Sequence, residues 1–160
     1  MRGFVLLPVM ALTFGFSSVT AQHSIPDGST ATIVTPLGGG RDEITIELPN
    51  ASGVSKNRYI AFNSENGIVF NNLAAGARTI VNQVTGPTRS ELGGEISVLG
   101  TRANILIANP NGIVVNGANF VNTGALALTT GQITYDTFAI SPGLTLENPI
   151  SVSYTHLRAH

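Results

Sequence analysis

Asparagine, proline and glycine interrupt the apolar residues between positions 104 and 131 so often that no helix is expected there. No 3.6-residue period fits the apolar positions, and each apolar run is long enough only for a short strand. Four such runs are present, at residues 105–107, 113–115, 120–121 and 126–128. The stretch therefore predicts short β-strands that stack on one another.

The turns between these runs share one chemistry. Residues 109–112 read Asn-Pro-Asn-Gly, in which proline presets φ and the Asn-Gly pair readily takes positive φ. The same combination of asparagine and glycine recurs as Asn-Gly at 116–117 and Asn-Thr-Gly at 122–124. The chain is therefore expected to change direction at each of these points.

An earlier segment has the same pattern. Residues 66–72 (NGIVFNN) and 111–117 (NGIVVNG) agree at five of seven positions, with an offset of 45 residues. Solenoid coils commonly contain roughly 20 to 25 residues, so this offset predicts a spacing of two coils. Asn-Gly between apolar runs is also the strongest short hairpin signal, so spacing alone leaves an antiparallel β-sandwich open.

Few charges and abundant glycine favour a regular all-β protein. Only 11% of the residues are charged and 18 are glycine, whereas a helical protein would contain more Lys, Glu and Ala. A formal net charge of −1 argues against nucleic acid as a partner. The chain has no cysteine, so its strands must hold one another without disulfides.

The first 21 residues predict a secretory signal peptide. Arg2 supplies the positive end, residues 4–16 form an apolar run, and Val19 and Ala21 are small residues where a signal peptidase reads. We expect cleavage after Ala21. The run is 13 residues long, shorter than the roughly 20 needed to cross a bilayer, and no later run is long enough to span one.

Other parts of the chain also predict strands. In residues 44–48, apolar side chains alternate with polar ones, which predicts a strand with one face inward. Residues 53–63 contain two basic and two aromatic residues and are interpreted as an edge or turn with a packed Tyr59 and Phe62. Further strands are expected at 78–84 and 95–99.

Residues 78–131 resemble the secretion domain of two-partner-secreted (TPS) exoproteins, the filamentous haemagglutinin family. The hallmark Asn-Pro-Asn-Gly-Ile sequence of that family stands intact at Asn109, Pro110, Asn111, Gly112 and Ile113. The Phe-x-Asn-Thr and Leu-Thr-Thr-Gly elements of the family follow at residues 120–123 and 128–131. The similarity extends over residues 25–130.

The chain departs from the family pattern in two places. The second hallmark, Asn-Pro-Asn-Leu, is reduced to Asn71, Asn72 and Leu73, which form a weaker second element. Some members carry a cysteine pair where this chain has Val115 and Ala118, so the resemblance implies a variant without that disulfide.

The resemblance implies a right-handed parallel β-helix with an N-terminal cap and three short sheets per coil. It also implies hydrogen bonds from asparagine side chains between the turns of successive coils. Residues 22–150 are then the front part of the domain, after a signal peptide at 1–21. Residues 151–160 do not continue the pattern and are interpreted as a truncation or a non-native junction of a longer exoprotein.

The implied function is secretion. In this family a dedicated outer-membrane barrel with periplasmic recognition domains recognises the domain, and the chain folds outside the Gram-negative cell, where it is secreted or stays at the surface. Residues 109–113 are the expected recognition and fold-defining turn, with residues 71–73 as the second element. The alternative is that these residues only shape turns and that the transporter reads another feature.

Two other functional classes remain alternatives. A β-helical polysaccharide-active enzyme needs clustered carboxylates, but the nine acidic residues are scattered and only residues 42–43 are adjacent. His23, His156 and His160 lie at the two ends and give no metal spacing, so no metal or cofactor is expected. An exported adhesin module would bind a glycan or protein receptor, in the family mostly through regions downstream of this segment.

Residues 138–150 are expected to form one more coil.

Overall fold

The computed structural model describes residues 23–135, 144–147 and 158–159. These residues contain no helix, and so none that could cross a membrane. The expected signal peptide and its cleavage site at Val19 and Ala21 lie outside the described residues. The described residues form fifteen strands: β1 (Ile25–Pro26), β2 (Ile33–Gly38), β3 (Arg41–Thr45), β4 (Val54–Ala61), β5 (Gly67–Asn72), β6 (Thr79–Val84), β7 (Ser90–Leu92), β8 (Glu95–Gly100), β9 (Ala103–Ala108), β10 (Ile113–Val115), β11 (Asn119–Val121), β12 (Thr123–Thr129), β13 (Gln132–Tyr135), β14 (Leu144–Glu147) and β15 (Arg158–Ala159).

The strands wind into a parallel β-helix of about four turns. Sheet A contains β4, β6, β9 and β12, sheet B contains β3, β5, β8 and β11, and sheet C contains β7 and β10, all parallel within their sheet. Equivalent positions in sheet B are Arg41, Gly67, Glu95 and Asn119, which are separated by 26, 28 and 24 residues. The parallel pairing confirms the predicted β-helix and excludes the antiparallel sandwich.

The 45-residue offset is not a repeat of the coil, so that prediction was wrong. Ile68, in the first copy, lies in sheet B and pairs with Ile96 of the next coil. Ile113, in the second copy, lies in sheet C and pairs with Ser90. The two segments are alike because any corner of the helix needs a polar turn followed by an apolar strand, whichever sheet comes next.

The interior of the helix is filled by columns of apolar side chains. In sheet B one column contains Ile44, Phe70 and Val98, and a second contains Ile68, Ile96 and Phe120. Phe62 contacts Tyr59 edge-on at 4.9 Å between ring centroids and stacks on Phe70 at 6.4 Å. Each fully buried side chain of this kind stabilises the fold by roughly 1.5–3 kcal/mol.

Strand β4 is the second strand of sheet A. It pairs with β6 from Val54 to Tyr59, and with the short β1 at Tyr59 and Ala61. The prediction of an edge or turn for residues 53–63 did not foresee this eight-residue strand, although Tyr59 and Phe62 are packed as expected. Residues 44–48 agree with the prediction in part: Ile44 and Ile46 are buried, but β3 ends at Thr45 and Leu48 is 69% exposed.

Two asparagines point into the interior of sheet A, where an unpaired amide would be costly. Asn57 and Asn82 are fully buried and occupy equivalent positions of adjacent coils. Each donates to a carbonyl of the following coil, Asn57 to Val81 at 3.2 Å and Asn82 to Leu106 at 3.3 Å. The hydroxyl of Tyr59 donates to Oδ1 of Asn82 at 3.0 Å, which completes the pairing of that amide.

The N-terminal segment pairs with the first coil at each of the three sheets. β1 pairs antiparallel with β4, and β2 pairs antiparallel with β3. In the first coil, Ser64 forms a parallel bridge with Leu92 of sheet C. The hydroxyl of Ser24 donates to the carbonyl of the neighbouring Asn63 at 3.0 Å and accepts the N–H of Asn63 at 3.2 Å. The buried carboxylate of Asp42 accepts the backbone N–H groups of His23 and Ser24 at 2.9 and 3.1 Å. This arrangement is the predicted N-terminal cap.

A β-hairpin follows the last coil. β13 and β14 pair antiparallel, and Ile133 of β13 packs against the outer face of sheet A. The apolar cluster it completes includes Val81, Leu106 and Ala108. Of residues 138–150, which were expected to form one more coil, only 144–147 are described, and their antiparallel pairing with β13 differs from the parallel pairing of a coil. The rest of that expectation lies outside the described residues. Of residues 151–160 the structure describes only β15, which pairs with β11.

Burial raises the pKa of the Tyr59 phenol well above its usual value. Because the unfolded chain loses this proton first, we expect the free energy of unfolding to fall as the pH rises above the unfolded pKa of about 10. The loss should approach about 1.4 kcal/mol per pH unit, measured by urea unfolding at a series of alkaline pH values.

Tyr59→Phe is the control, because it removes the ionisable group while keeping the ring. This variant should be about 1 kcal/mol less stable at neutral pH, since it loses the hydrogen bond to Asn82. Its alkaline slope should be smaller than that of the wild type. Identical slopes in the two proteins would contradict the prediction.

Candidate recognition turn

The turn at residues 109–112 joins β9 of sheet A to β10 of sheet C. The N–H of Gly112 donates to the carbonyl of Asn109 at 3.0 Å, which closes a four-residue turn. Gly112 has a φ of 110°, a conformation in which a Cβ would be strained. Asn109 is fully buried, whereas Pro110 and Asn111 are exposed to solvent. The motif therefore has an inner half and an outer half.

The side chain of Asn109 connects its own turn to the preceding coil. Its Nδ2 donates to the carbonyl of Thr88 and to Oγ of Ser90, both at 2.9 Å. Its Oδ1 accepts the backbone N–H of Asn111 at 2.9 Å. Its backbone N–H donates to the carbonyl of Thr129 in the next coil at 3.0 Å. Asn109 thus binds three successive coils together at this corner.

The outer half of the turn borders a polar groove. Nδ2 of Asn111 donates to the carbonyl of Gly86 at 2.7 Å, which places the turn against the preceding coil. Pro110 and Asn111 line the groove, together with Arg58, Gln83, Pro87 and Gln132. The groove is therefore lined by amide groups, a guanidinium group and proline rings.

Arg58, which lines this groove, forms an ion pair with Asp27, with Nε and Oδ2 3.5 Å apart. Partial burial raises the pKa of Asp27, but hydrogen bonds from Ser29 and Thr85 and the charge of Arg58 outweigh it, so the pKa is lowered. The carboxylate is therefore ionised at neutral pH, and much of the charge of Arg58 is balanced.

The second element has the same division into buried and exposed residues. Asn72 is fully buried, and its Nδ2 donates to the carbonyls of Ala77 at 2.9 Å and Thr101 at 2.8 Å. Its Oδ1 accepts the N–H of Ala77 at 2.7 Å. The next residue, Leu73, is 65% exposed. Asn71 is half-buried and donates to Glu43 at 3.2 Å.

The structure does not bring the two elements together. Asn72 ends β5 at the corner between sheets B and A, and Asn109 follows β9 at the corner between sheets A and C, one coil later. A six-residue strand such as β9 is roughly 20 Å long, so at least that distance separates the two corners along the coil. They form two surfaces and not one site.

Asn122 is a further corner residue whose role was not assigned from the sequence. It has a φ of 55° and is the one non-glycine residue with positive φ among those described. Its Nδ2 donates to the carbonyls of Val98 at 2.8 Å and Gly100 at 3.0 Å in the preceding coil. The expected hydrogen bonds from asparagine amides between coils are therefore confirmed at three corners.

Other side chains weighed from the sequence have structural roles. Val115 and Ala118, where some relatives carry cysteines, pack against the interior cluster. Nε2 of His23 lies 3.0 Å from a carboxylate oxygen of Glu65, beside the cap. Within the described residues, no group of three or more His, Cys, Asp or Glu side chains could hold a metal ion.

A capped parallel β-helix with corners tied by asparagine amides is thus the class of protein that the fold defines. Residues 22–155 match the family model of the TPS secretion domain. The crystal structure of a filamentous hemagglutinin secretion domain is similar, with a TM-score of 0.66 and 35% sequence identity, over 72% of this chain and 44% of that one. No curated protein matches the chain.

The chain belongs to the TPS secretion domain family. This is a family of secretion domains and not a family of enzymes. The chain spans less than half of the similar haemagglutinin structure, 44% of its length.

Asn109→Ala should lower the free energy of unfolding by about 2–4 kcal/mol, because it leaves buried hydrogen-bonding groups of two coils without partners. Pro110→Ala, one residue along on the exposed half of the turn, should change it by less than about 1 kcal/mol. Urea unfolding followed by circular dichroism measures both. Equal effects of the two substitutions would show that Asn109 does not hold the corner.

Proposed function

We propose that this chain is the secretion domain of a TPS exoprotein and that a dedicated outer-membrane transporter recognises it during export from a Gram-negative bacterium. The observation that carries the proposal is the family match, which runs over residues 22–155. The similarity to a filamentous hemagglutinin secretion domain supports it. Export would then begin with cleavage after Ala21 and pass through the periplasm to the cell surface or the medium.

The exposed halves of the two elements are the proposed contacts for the transporter. The side-chain amides of Asn109 and Asn72 form hydrogen bonds inside the protein, so they are not available to bind a partner. Pro110, Asn111 and Leu73 are exposed and are held in position by those buried neighbours. We assign recognition to these three side chains and the shape of the turns to the two buried asparagines.

The fold also suits a chain that assembles after crossing a membrane in extended form. Each coil takes its hydrogen bonds from the coil before it, and the cap closes the first coil. The N-terminal coils can therefore fold first and act as a template for later ones. Burial of apolar side chains in each added coil, worth about 25 cal/mol per Å², would favour outward movement.

Secretion into the medium tests the recognition. The exoprotein would be produced in a Gram-negative host with and without the transporter encoded beside its gene. We expect release with the transporter only, and about tenfold less release for Asn111→Ala and for Leu73→Ser, which corresponds to the loss of roughly 1.4 kcal/mol of contact. Signal-peptide processing and the periplasmic pool should be unchanged.

Two matched controls are available in the same chain. Asn116→Ala alters another exposed Asn-Gly pair, and Leu48→Ser alters another exposed leucine, which is 69% exposed against 65% for Leu73. Both should be secreted like the wild type. Equal release without a transporter would refute two-partner secretion and leave an exported adhesin module as the better account.

A further inference from the structure

Three Asn-Gly pairs occur in the chain, at residues 66–67, 111–112 and 116–117. The pair is chemically reactive because glycine has no side chain to hinder attack of its backbone nitrogen on the asparagine amide. That attack requires a mobile asparagine side chain and a backbone N–H without a partner. The three pairs have the same local sequence, so their environments in the fold decide which of them can react.

The first pair is held on all sides. The side chain of Asn66 donates to the carbonyl of Gly39 at 2.8 Å, and its backbone N–H donates to the carbonyl of Gly40 at 2.9 Å. Gly67 is buried and is paired on one side with β3 and on the other with β8. Rotation of the backbone at this pair would break the pairing of sheet B.

The second pair is held by the recognition turn. Nδ2 of Asn111 donates to the carbonyl of Gly86 at 2.7 Å and to Oδ1 of Asn109 at 3.1 Å. The nitrogen that would attack, that of Gly112, is engaged with the carbonyl of Asn109 at 3.0 Å. The turn must open before this pair can react.

Among the described residues, nothing holds the third pair in either of these ways. Asn116 is exposed, and its side chain makes no hydrogen bond to any residue in the described ranges. The N–H of Gly117 likewise has no partner there, and no atom lies within 4 Å of the position that a Cβ would take. Both requirements for attack are therefore met at this bend between β10 and β11.

We propose that Asn116 is a site of spontaneous deamidation. The nitrogen of Gly117 loses its proton to solvent and bonds to the side-chain carbonyl carbon of Asn116, and the amide nitrogen leaves as ammonia. Water then opens the cyclic imide at one of its two carbonyl carbons. The products are aspartate or isoaspartate, so the net change is one water consumed and one ammonia released.

The modification changes the fold at one corner. Isoaspartate adds a methylene group to the backbone between the Cα of residue 116 and the next carbonyl. The N–H of the same residue donates to the carbonyl of Leu92 at 2.8 Å. Asn116 also lines one groove with Glu65 and Glu91, so deamidation adds a third carboxylate to the lining of that groove. Deamidation therefore loosens the junction between β10 and β11.

Peptide mass spectrometry of the folded, secreted protein held in mildly alkaline buffer tests the site, together with an enzymatic assay for isoaspartate. Asn116 should lose its amide roughly tenfold to a hundredfold faster than Asn66 or Asn111, since two or three hydrogen bonds must break at those positions. In concentrated denaturant the three rates should converge, because the local sequences are alike.

Asn116→Gln is the control variant, since its longer side chain does not form the five-membered imide, and it should remove nearly all isoaspartate from the folded protein. The proposal is overturned if Asn66 or Asn111 reacts as fast as Asn116 in the folded protein. It is also overturned if the rate order of the folded protein persists in denaturant.

Discussion

Every strand of a parallel β-helix depends on the neighbouring coil for its backbone hydrogen bonds, and the first coil has no coil before it. Unpaired N–H and C=O groups at that edge would invite association with other chains. Two antiparallel strands and the hydroxyl of Ser24 pair with the first coil at each of the three sheets. The buried carboxylate of Asp42 fixes the segment that supplies them. All later coils are built on this closed end.

The corners are the second structural requirement, because the chain leaves one sheet there and must satisfy carbonyls that no strand covers. Asparagine suits this position, since one side chain both donates and accepts. Asn72, Asn109 and Asn122 each donate to carbonyls of an adjacent coil. The same geometry directs the residues after them outward, so a corner that stabilises the helix also displays Leu73 or Asn111.

This coupling relates the fold to the proposed secretion function. In that proposal, a transporter contact at Pro110 and Asn111 would depend on Asn109, which does not itself reach the surface. The family hallmark then combines a fold-defining residue with residues available for recognition. A chain without cysteine can also thread through a pore in extended form without a crosslink to reduce.

Turn positions and most strand positions could be predicted from the sequence, because proline and Asn-Gly restrict φ locally and short apolar runs have no helical period. The runs at 105–107, 113–115 and 120–121 became β9, β10 and β11, and the resemblance identified the β-helix. The sequence did not predict the exposure of Leu48, the strand β4 or the antiparallel pairing of β13 with β14, and the 45-residue offset was wrongly interpreted as two coils. Which sheet a strand joins, and which of its faces is covered, depends on the coil beside it, so the tertiary structure alone decided these features.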